Sequence, residues 1–370
     1  MTRTKAGMKK IRKNKIRRYA VGGVRLARRS FRAYRSAMNA PKVEADEYMD
    51  FLIATPKVCS ATEAARVHPD GPRPPSHDAF TRLLTRLEPD PDTLWTEAEP
   101  QVRRDDGILV VDDSTLDKPY AAAIELVTRH WSGKHRAVVR GINPVSLLWT
   151  DGDRHLPCDD RVYDAARDGK TKNDHFRAVV GTAHGRGFRP RCVAFDGWYG
   201  SLDNRKAVRD CGWVWLTRLK GNRLVNRDRE GTRPLTATAI SSAGTVVWLP
   251  GFGLVRVFGI VAPDGDTTYW ATDDLAMTAL TRRQFAEFSW AIESYHRGIQ
   301  QCTGVERCQC RSAVAQRNHI GLALRAFLRL EIHCFAAGVS WVEAKTAILR
   351  DAVRKYLEQP RYRLPKPATA

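Results

Sequence analysis

Ile108-Leu-Val-Val-Asp-Asp-Ser-Thr115 opens with four apolar residues and closes on two acids and two hydroxyls. A continuous apolar run of this kind predicts a strand buried on both faces, because a half-solvated strand would alternate. Carboxylates at the end of such a strand are costly to bury unless they hold a cation or are well hydrogen-bonded. Downstream, Asn143-Pro-Val-Ser-Leu-Leu-Trp149, the turn Asp151-Gly-Asp153, then His155-Leu-Pro-Cys158 and Arg161-Val-Tyr163 predict a hairpin. A helix follows over 173–184, with Phe176, Val179 and Val180 apolar. Arg191-Cys-Val-Ala-Phe-Asp196 is a second buried strand, Leu202 to Cys211 a helix, and Trp213-Val-Trp-Leu-Thr-Arg-Leu219 the next strand.

The order is strand, hairpin, helix, strand, helix, strand, as a ribonuclease H-like domain requires. The fold class expected is therefore α/β: a ribonuclease H-like core over 105–221 and 279–337, interrupted by a β-rich insertion over 222–278. Gly244-Thr-Val-Val-Trp-Leu249, Gly253 to Val261 and Thr267-Thr-Tyr-Trp-Ala-Thr272 supply the insertion's strands. Long helices are expected at about 281–301, 312–337 and 340–357, and 338–370 reads as a C-terminal helix with a Pro-rich, disordered tail. Residues 41–104 read as a helical N-terminal domain. Glu47 to Ile53 is one helix, Ser60 to Val67 a second with Ser60 or Thr62 as cap, and Ser76 caps a third with Phe80, Leu83, Leu84 and Leu87 on one face. Such a trio serves equally as a helix-turn-helix DNA reader or as a small packing domain.

The 370 residues carry 61 Lys plus Arg against 41 Asp plus Glu, a net charge of +20, with 43% hydrophobic and 9% aromatic residues. Length and composition imply two or three folded units and exclude wholesale disorder. No stretch approaches the roughly 18 consecutive apolar residues of a membrane-spanning helix. The basic N-terminus lacks the apolar segment of a signal peptide, and the eight scattered cysteines read as reduced thiols. The expected setting is the bacterial cytoplasm, near the nucleoid. So basic a chain points to a polyanion, with nucleic acid first. Residues 1–37, however, hold 14 Lys/Arg and no acid, leaving 47 bases against 41 acids in the remainder. The arm over 1–40 is expected to be disordered, with a transit peptide as another reading. Met38-Asn-Ala-Pro41 resembles a second start, which would make the arm optional.

Asp113 and Asp196 end strands expected to be neighbours, where ligands gather in an open sheet. Taken singly each reads as a cap or turn residue; taken as a pair they point to metal binding. A third acid comes from the helix after the insertion. There Phe285, Phe288, Ile292, Tyr295 and Ile299 mark the core face, and Ser289, Glu293, Arg297 and Gln300 a stripe beside it. Glu293 is the candidate, with Glu287 and Glu306 as fallbacks. The plainer reading of Glu293 is a surface pair with Arg297. Three carboxylates suit Mg²⁺, with Mn²⁺ able to substitute, and two such ions about 3.5–4 Å apart promote phosphoryl transfer.

Val110-Val-Asp-Asp-Ser-Thr115, Val193-Ala-Phe-Asp-Gly-Trp-Tyr199, Leu216-Thr-Arg-Leu-Lys-Gly-Asn-Arg223 and Trp290-Ala-Ile-Glu-Ser-Tyr-His-Arg297 together resemble a bacterial insertion-sequence transposase of the DDE class. The nearest likeness is to insertion-sequence family seven-oh-one and its relative, family four, over about 45–357. The resemblance implies Asp113, Asp196 and Glu293 as catalytic, metal-holding triad and Mg²⁺ as cofactor. It further implies cut-and-paste movement of an element with inverted-repeat ends into target DNA, and a homodimer on the double-stranded DNA. Family four places Tyr, Arg and Lys around the glutamate where this chain has Ala286, Ser289 and Gln300. The likeness therefore does not extend to the hairpin-ended intermediate those residues serve.

Lys118, Lys134, His135, Arg136, Arg140, Lys170 and Lys172 lie in loops around the first strands and are expected to bring positive charge to DNA phosphates. Arg218 and Lys220 end the last sheet strand, and Arg297 flanks Glu293. Trp270, on the last insertion strand, is expected either to stack on an extruded base or to pack in the core, and Trp198 carries the same two readings. Gly169-Lys-Thr171 lacks the first glycine of a phosphate-binding loop, since Asp164 stands there. Cys302, Cys308 and Cys310 lack zinc-site spacing. An inactive DNA-binding descendant of a transposase is the alternative function.

Overall fold

In a computed structural model, residues 41–133 and 135–360 are described; the basic arm over 1–40, Lys134 and the tail after Pro360 lie outside them. Every helix and strand of the described residues belongs to the second of two units, Ala45–Ala370. It begins with α1 (Ala45–Ala54), α2 (Ala61–Val67) and α3 (His77–Arg86), the three short helices expected. Ser60 Oγ caps α2 by accepting from the Glu63 amide at 3.1 Å. Ser76 stands at the start of α3, but its side chain makes no cap bond. A fourth helix, α4 (Asp92–Ala98), completes this helical stretch.

The strand Ile108–Asp113, β1, has Ile108 to Val111 fully buried, as its unbroken apolar run demands. Next come β2 (Leu116–Asp117), β3 (Thr128–Ser132) and β4 (Ala137–Ile142), a small antiparallel sheet in the order β2-β4-β3. The hairpin is β5 (Pro144–Thr150) and β6 (His155–Val162), with a bulge between Leu147 and Leu148. After one helical turn, α5 (Ala165–Asp168), come α6 (Lys172–Gly185), β7 (Cys192–Phe195), α7 (Leu202–Asp210) and β8 (Trp215–Leu219). Residues 222–278 then contribute the small β9 (Leu224–Val225) and β10 (Arg233–Pro234), followed by β11 (Thr245–Leu249), β12 (Gly253–Val261) and β13 (Thr267–Thr272).

One eight-stranded sheet runs β11-β12-β13-β8-β7-β1-β5-β6. β1, β7 and β8 are mutually parallel and every other neighbouring pair is antiparallel. β1 thus lies inside the sheet with its C-terminal end beside that of β7. β13, β12 and β11 extend the same sheet at its β8 side, while β9 and β10 pair with each other as a separate two-stranded sheet.

A single helix over 281–301 was expected; the chain instead forms α8 (Ala279–Ser289) and α9 (Ala291–Cys302), broken at Trp290. The break lets α8 bury Phe285 while α9 independently turns Ile292, Tyr295 and Ile299 inward. Ser289, expected in one stripe with Glu293, therefore belongs to the other helix. The long α10 (Ala313–Ala337) is the spine on which the N-terminal helices rest. Tyr48 OH and His319 Nδ1 share a hydrogen bond of 2.9 Å, Asn318 Nδ2 donates to the Leu84 and Leu87 carbonyls at 2.7 Å each, and Glu97 accepts from Arg325 and Arg329. α11 (Trp341–Glu358) completes the unit, with Trp341 Nε1 donating to the buried Glu331. Among the described residues no helix is long and apolar enough to cross a membrane. All eight cysteines are free thiols.

Candidate active site

β1 and β7 both end at the same edge of the buried sheet, and their last registered pair is Val111 with Phe195. Beyond it β1 continues as Asp112 and Asp113, while β7 gives way to Asp196 and a tight turn, Gly197–Tyr199. Gly197 is required by close approach: a Cβ there would lie 2.8 Å from the Arg218 carbonyl on β8. That turn carries Tyr199 back under β1, where its fully buried ring stacks on Phe176 of α6 at 5.4 Å.

Asp113 is the best-held acid of the site. Tyr199 OH donates to its Oδ1 at 2.6 Å, and its Oδ2 accepts from Asn143 Nδ2 and Lys172 Nζ at 2.8 Å each. Burial pushes the carboxyl up, but the Lys172 charge and the bonds from Lys172, Tyr199 and Asn143 outweigh it and hold the group below its ordinary value. Lys172 is delivered by a capping box. Thr171 Oγ1 accepts from the Asp174 amide, Asp174 accepts from the Thr171 amide, and Lys172 becomes the first residue of α6. Asn143, buried in front of β5, also donates to the Ser114 carbonyl at 2.8 Å.

Asp112 is part-buried, and desolvation, reinforced by the charge of Asp113, pushes its carboxyl well above the ordinary range. Asp196 and Glu293 act on it in the same sense more weakly, which places both within electrostatic reach of the β1 end. Asp196 is half exposed, with Arg218 Nη2 at 3.5 Å from its Oδ1. Glu293 lies in the first turn of α9, exposed on the side opposite Ile292 and Tyr295. His296, one turn on, is buried and its imidazole is pushed down to about 4.

The expected phosphate contacts separate into groups. Arg218 lies over Trp270 at 5.7 Å and beside Asp196, so that base, ring and acid form one line on the strand ends. Lys220, Lys170, Arg136, Arg140 and Arg297 are exposed. His135 pairs with Asp117 at 2.8 Å. Lys118 is turned inward: it is buried, and its ammonium donates to the Glu306 and Cys308 carbonyls at 2.5 and 2.6 Å. In that position it acts as an internal clamp on the 306–308 segment. Lys172 is likewise engaged with Asp113, and its ammonium lies 5.6 Å from the ring of the exposed Trp198. Tyr199 and Asn143 were missed as site residues. Tyr199 stands inside the motif that holds Asp196, and the capping box Thr171 to Asp174 is the signal that would have aimed Lys172 at the strand ends.

Among the described residues, no three His, Cys, Asp or Glu side chains stand close enough together to hold a metal ion. The donor chemistry at the strand ends nevertheless fits a hard divalent cation. The acids offer oxygen alone, and each has a positive group beside it, Lys172 at Asp113 and Arg218 at Asp196.

Residues 50–239 match the family model described as DDE superfamily endonuclease. That stretch contains Asp112, Asp113 and Asp196, while Glu293 lies beyond it. No curated protein matches the chain. Among solved structures it is similar to the piggyBac transposase in a cryo-EM synaptic complex with hairpin DNA, at 11% identity and a TM-score of 0.42, covering 90% of this chain and 74% of that one. With the family match spanning just over half its length, the chain belongs to the DDE superfamily endonucleases.

Proposed function

We propose that the chain is a DNA transposase that cuts the ends of an insertion sequence and joins them to target DNA. The observation that carries this reading is the pair Asp113 and Asp196 on the ends of adjacent parallel strands, in a family of endonucleases. The strand order β6-β5-β1-β7-β8 supports a ribonuclease H-like core, and β9 to β13 support reading 222–278 as its insertion. Asp113 and Asp196 would hold divalent metal, Mg²⁺ or Mn²⁺, jointly, with Glu293 turning in from α9 to complete the set in a two-ion site. The metal would supply charge neutralisation and Lewis-acid polarisation at the scissile phosphate. Tyr199 and Asn143 keep the Asp113 carboxylate ionised and aimed. Arg218, Lys220 and Arg297 bind backbone phosphates of the strand being cut, and Trp270 offers a stacking face beside Arg218.

In the first step water attacks phosphorus and the phosphodiester bond at the element end breaks, leaving a 3′-hydroxyl. In the second that hydroxyl attacks a target phosphodiester, and the displaced 3′-oxygen leaves. Two copies would hold the two ends, and the place of action is the bacterial nucleoid. An Asp196→Ala protein should bind inverted-repeat DNA yet fail to nick it in Mg²⁺; cleavage at the unaltered rate would overturn the assignment. The second reading, an inactive DNA-binding descendant, is favoured by one observation, the exposed and separate position of Glu293. Absence of any Mg²⁺-dependent nicking by the unaltered protein would select it.

A further inference from the structure

Lys172 is in an electrostatically odd place. It is the first residue of the fourteen-residue α6, where the helix dipole favours anions and disfavours an ammonium. Its side chain is 16% exposed, so that charge is also largely stripped of water. What compensates is Asp113, whose Oδ2 receives the ammonium at 2.8 Å with a side-chain exposure of 19%. The other two donors to Asp113, Tyr199 and Asn143, are neutral and wholly buried, and their groups are fixed by packing. Lys172 differs from both. Its ammonium ends a flexible four-carbon stem, and the indole of the exposed Trp198, 5.6 Å away, offers a second seat for the charge.

From this geometry we infer that Lys172 is a placeholder cation: it occupies the metal-facing oxygen of Asp113 in the empty enzyme, and an arriving divalent ion displaces it toward Trp198. The inference rests on the reading of Asp113 as a metal ligand. It makes Lys172 a positioning residue that competes with the metal. The pair keeps a buried carboxylate compensated before metal arrives, at the cost of weaker metal binding. An ammonium and a divalent ion at the same carboxylate oxygen repel each other and compete for its lone pairs, so removing the intrinsic cation should tighten binding of the extrinsic one. Couplings between sites of this kind run from about 5- to 150-fold.

The test is Mn²⁺ titration of the whole chain at pH 8, following the free-ion EPR signal, with no DNA present. Lys172→Met keeps the stem and removes the charge; its Mn²⁺ affinity should rise about tenfold over the unaltered protein. In the same samples the Mn²⁺-induced rise in melting temperature should be larger for Lys172→Met than for the unaltered protein, because the metal then covers an uncompensated carboxylate. Should Lys172→Met fail to fold, Lys172→Arg keeps the charge with a fork that grips a carboxylate through two bonds, and its affinity should fall below that of the unaltered protein. Unchanged or weaker binding in Lys172→Met, or unchanged or tighter binding in Lys172→Arg, would overturn the inference. Asp113→Asn separates the two layers. If it loses Mn²⁺ binding while Lys172→Met is unchanged, the placeholder falls and the ligand assignment stands. If it binds as the unaltered protein does, the ligand assignment falls and the placeholder with it.

Discussion

Tyr199→Phe isolates one hydrogen bond at the centre of the site. The phenol is fully buried, donates to Asp113 Oδ1 at 2.6 Å, and its ring stacks on Phe176, so the phenylalanine keeps the packing and loses only the hydroxyl. A hydrogen bond to an ionised partner contributes about 1.5–3 kcal/mol, and the loss here leaves one oxygen of a largely buried carboxylate without its donor. Metal-free protein at pH 7 should therefore lose about 1.5–3 kcal/mol of unfolding free energy, read from urea denaturation followed by tryptophan fluorescence. The sign with pH follows from Asp113, which the fold holds below its ordinary value. Its contribution is complete above the unfolded-state pKa of about 3.9 and disappears as pH falls through the lower folded value, so the deficit of Tyr199→Phe should shrink only under strongly acid conditions. In an Asp113→Ala background the same substitution should be close to neutral. An equal loss in both backgrounds would refute the argument, because the phenol would then be stabilising something other than Asp113.

Gly298→Ala should cost about 1–3 kcal/mol by overpacking, seen as a lower melting temperature, since the added Cβ would meet Phe327 at 2.6 Å and Trp341 at 3.0 Å where α9 crosses its neighbours. Lys118→Met should destabilise the fold by about 1–3 kcal/mol through two unsatisfied carbonyls, yet leave affinity for duplex DNA unchanged; Arg218→Ala should do the reverse, weakening DNA binding and lowering its salt dependence, as a binding titration over a range of salt would record. His319, pushed down to about 4 by burial and by the charge of Lys118, stays neutral in the fold at pH 5 while the unfolded chain protonates it. The unfolded state then binds more protons, so stability falls as pH drops from about 6.5 to 4. His319→Gln should reduce that slope near pH 5 by up to about 1.4 kcal/mol per pH unit in urea titrations.

The elements legible in the sequence are those whose apolar pattern leaves one solution. Ile108 to Val111 and Cys192 to Phe195 are buried on both faces, and each is followed by an acid, so strand, burial and site position came from the same short stretch. Other elements carry no such pattern. β3 and β4, Thr128-Arg-His-Trp-Ser132 and Ala137-Val-Val-Arg-Gly-Ile142, expose most of their side chains, and their pairing with each other and with the two-residue β2 is a tertiary outcome. The helical period runs unbroken through Trp290, so periodicity could not reveal where α8 ends and α9 begins. Basic residues were the least legible. Lys118 and Lys172 look like their exposed neighbours in the sequence, but one clamps carbonyls 188 and 190 residues away and the other an aspartate 59 residues away. Those partners are brought close only by the sheet and by the capping box of α6.

Metal-dependent cleavage of DNA is the activity proposed for the acids on the ends of β1 and β7 together with Glu293. Its most direct measurement is end nicking of a duplex taken from the inverted repeat flanking this gene, with Mg²⁺ supplied or chelated. Unaltered protein should be compared with Asp113→Asn, Asp196→Asn and Glu293→Gln, each first shown to bind the duplex. The unaltered protein should nick in Mg²⁺ but not with chelator, and none of the three variants should nick. Nicking at the unaltered rate by Asp113→Asn or Asp196→Asn would contradict that assignment.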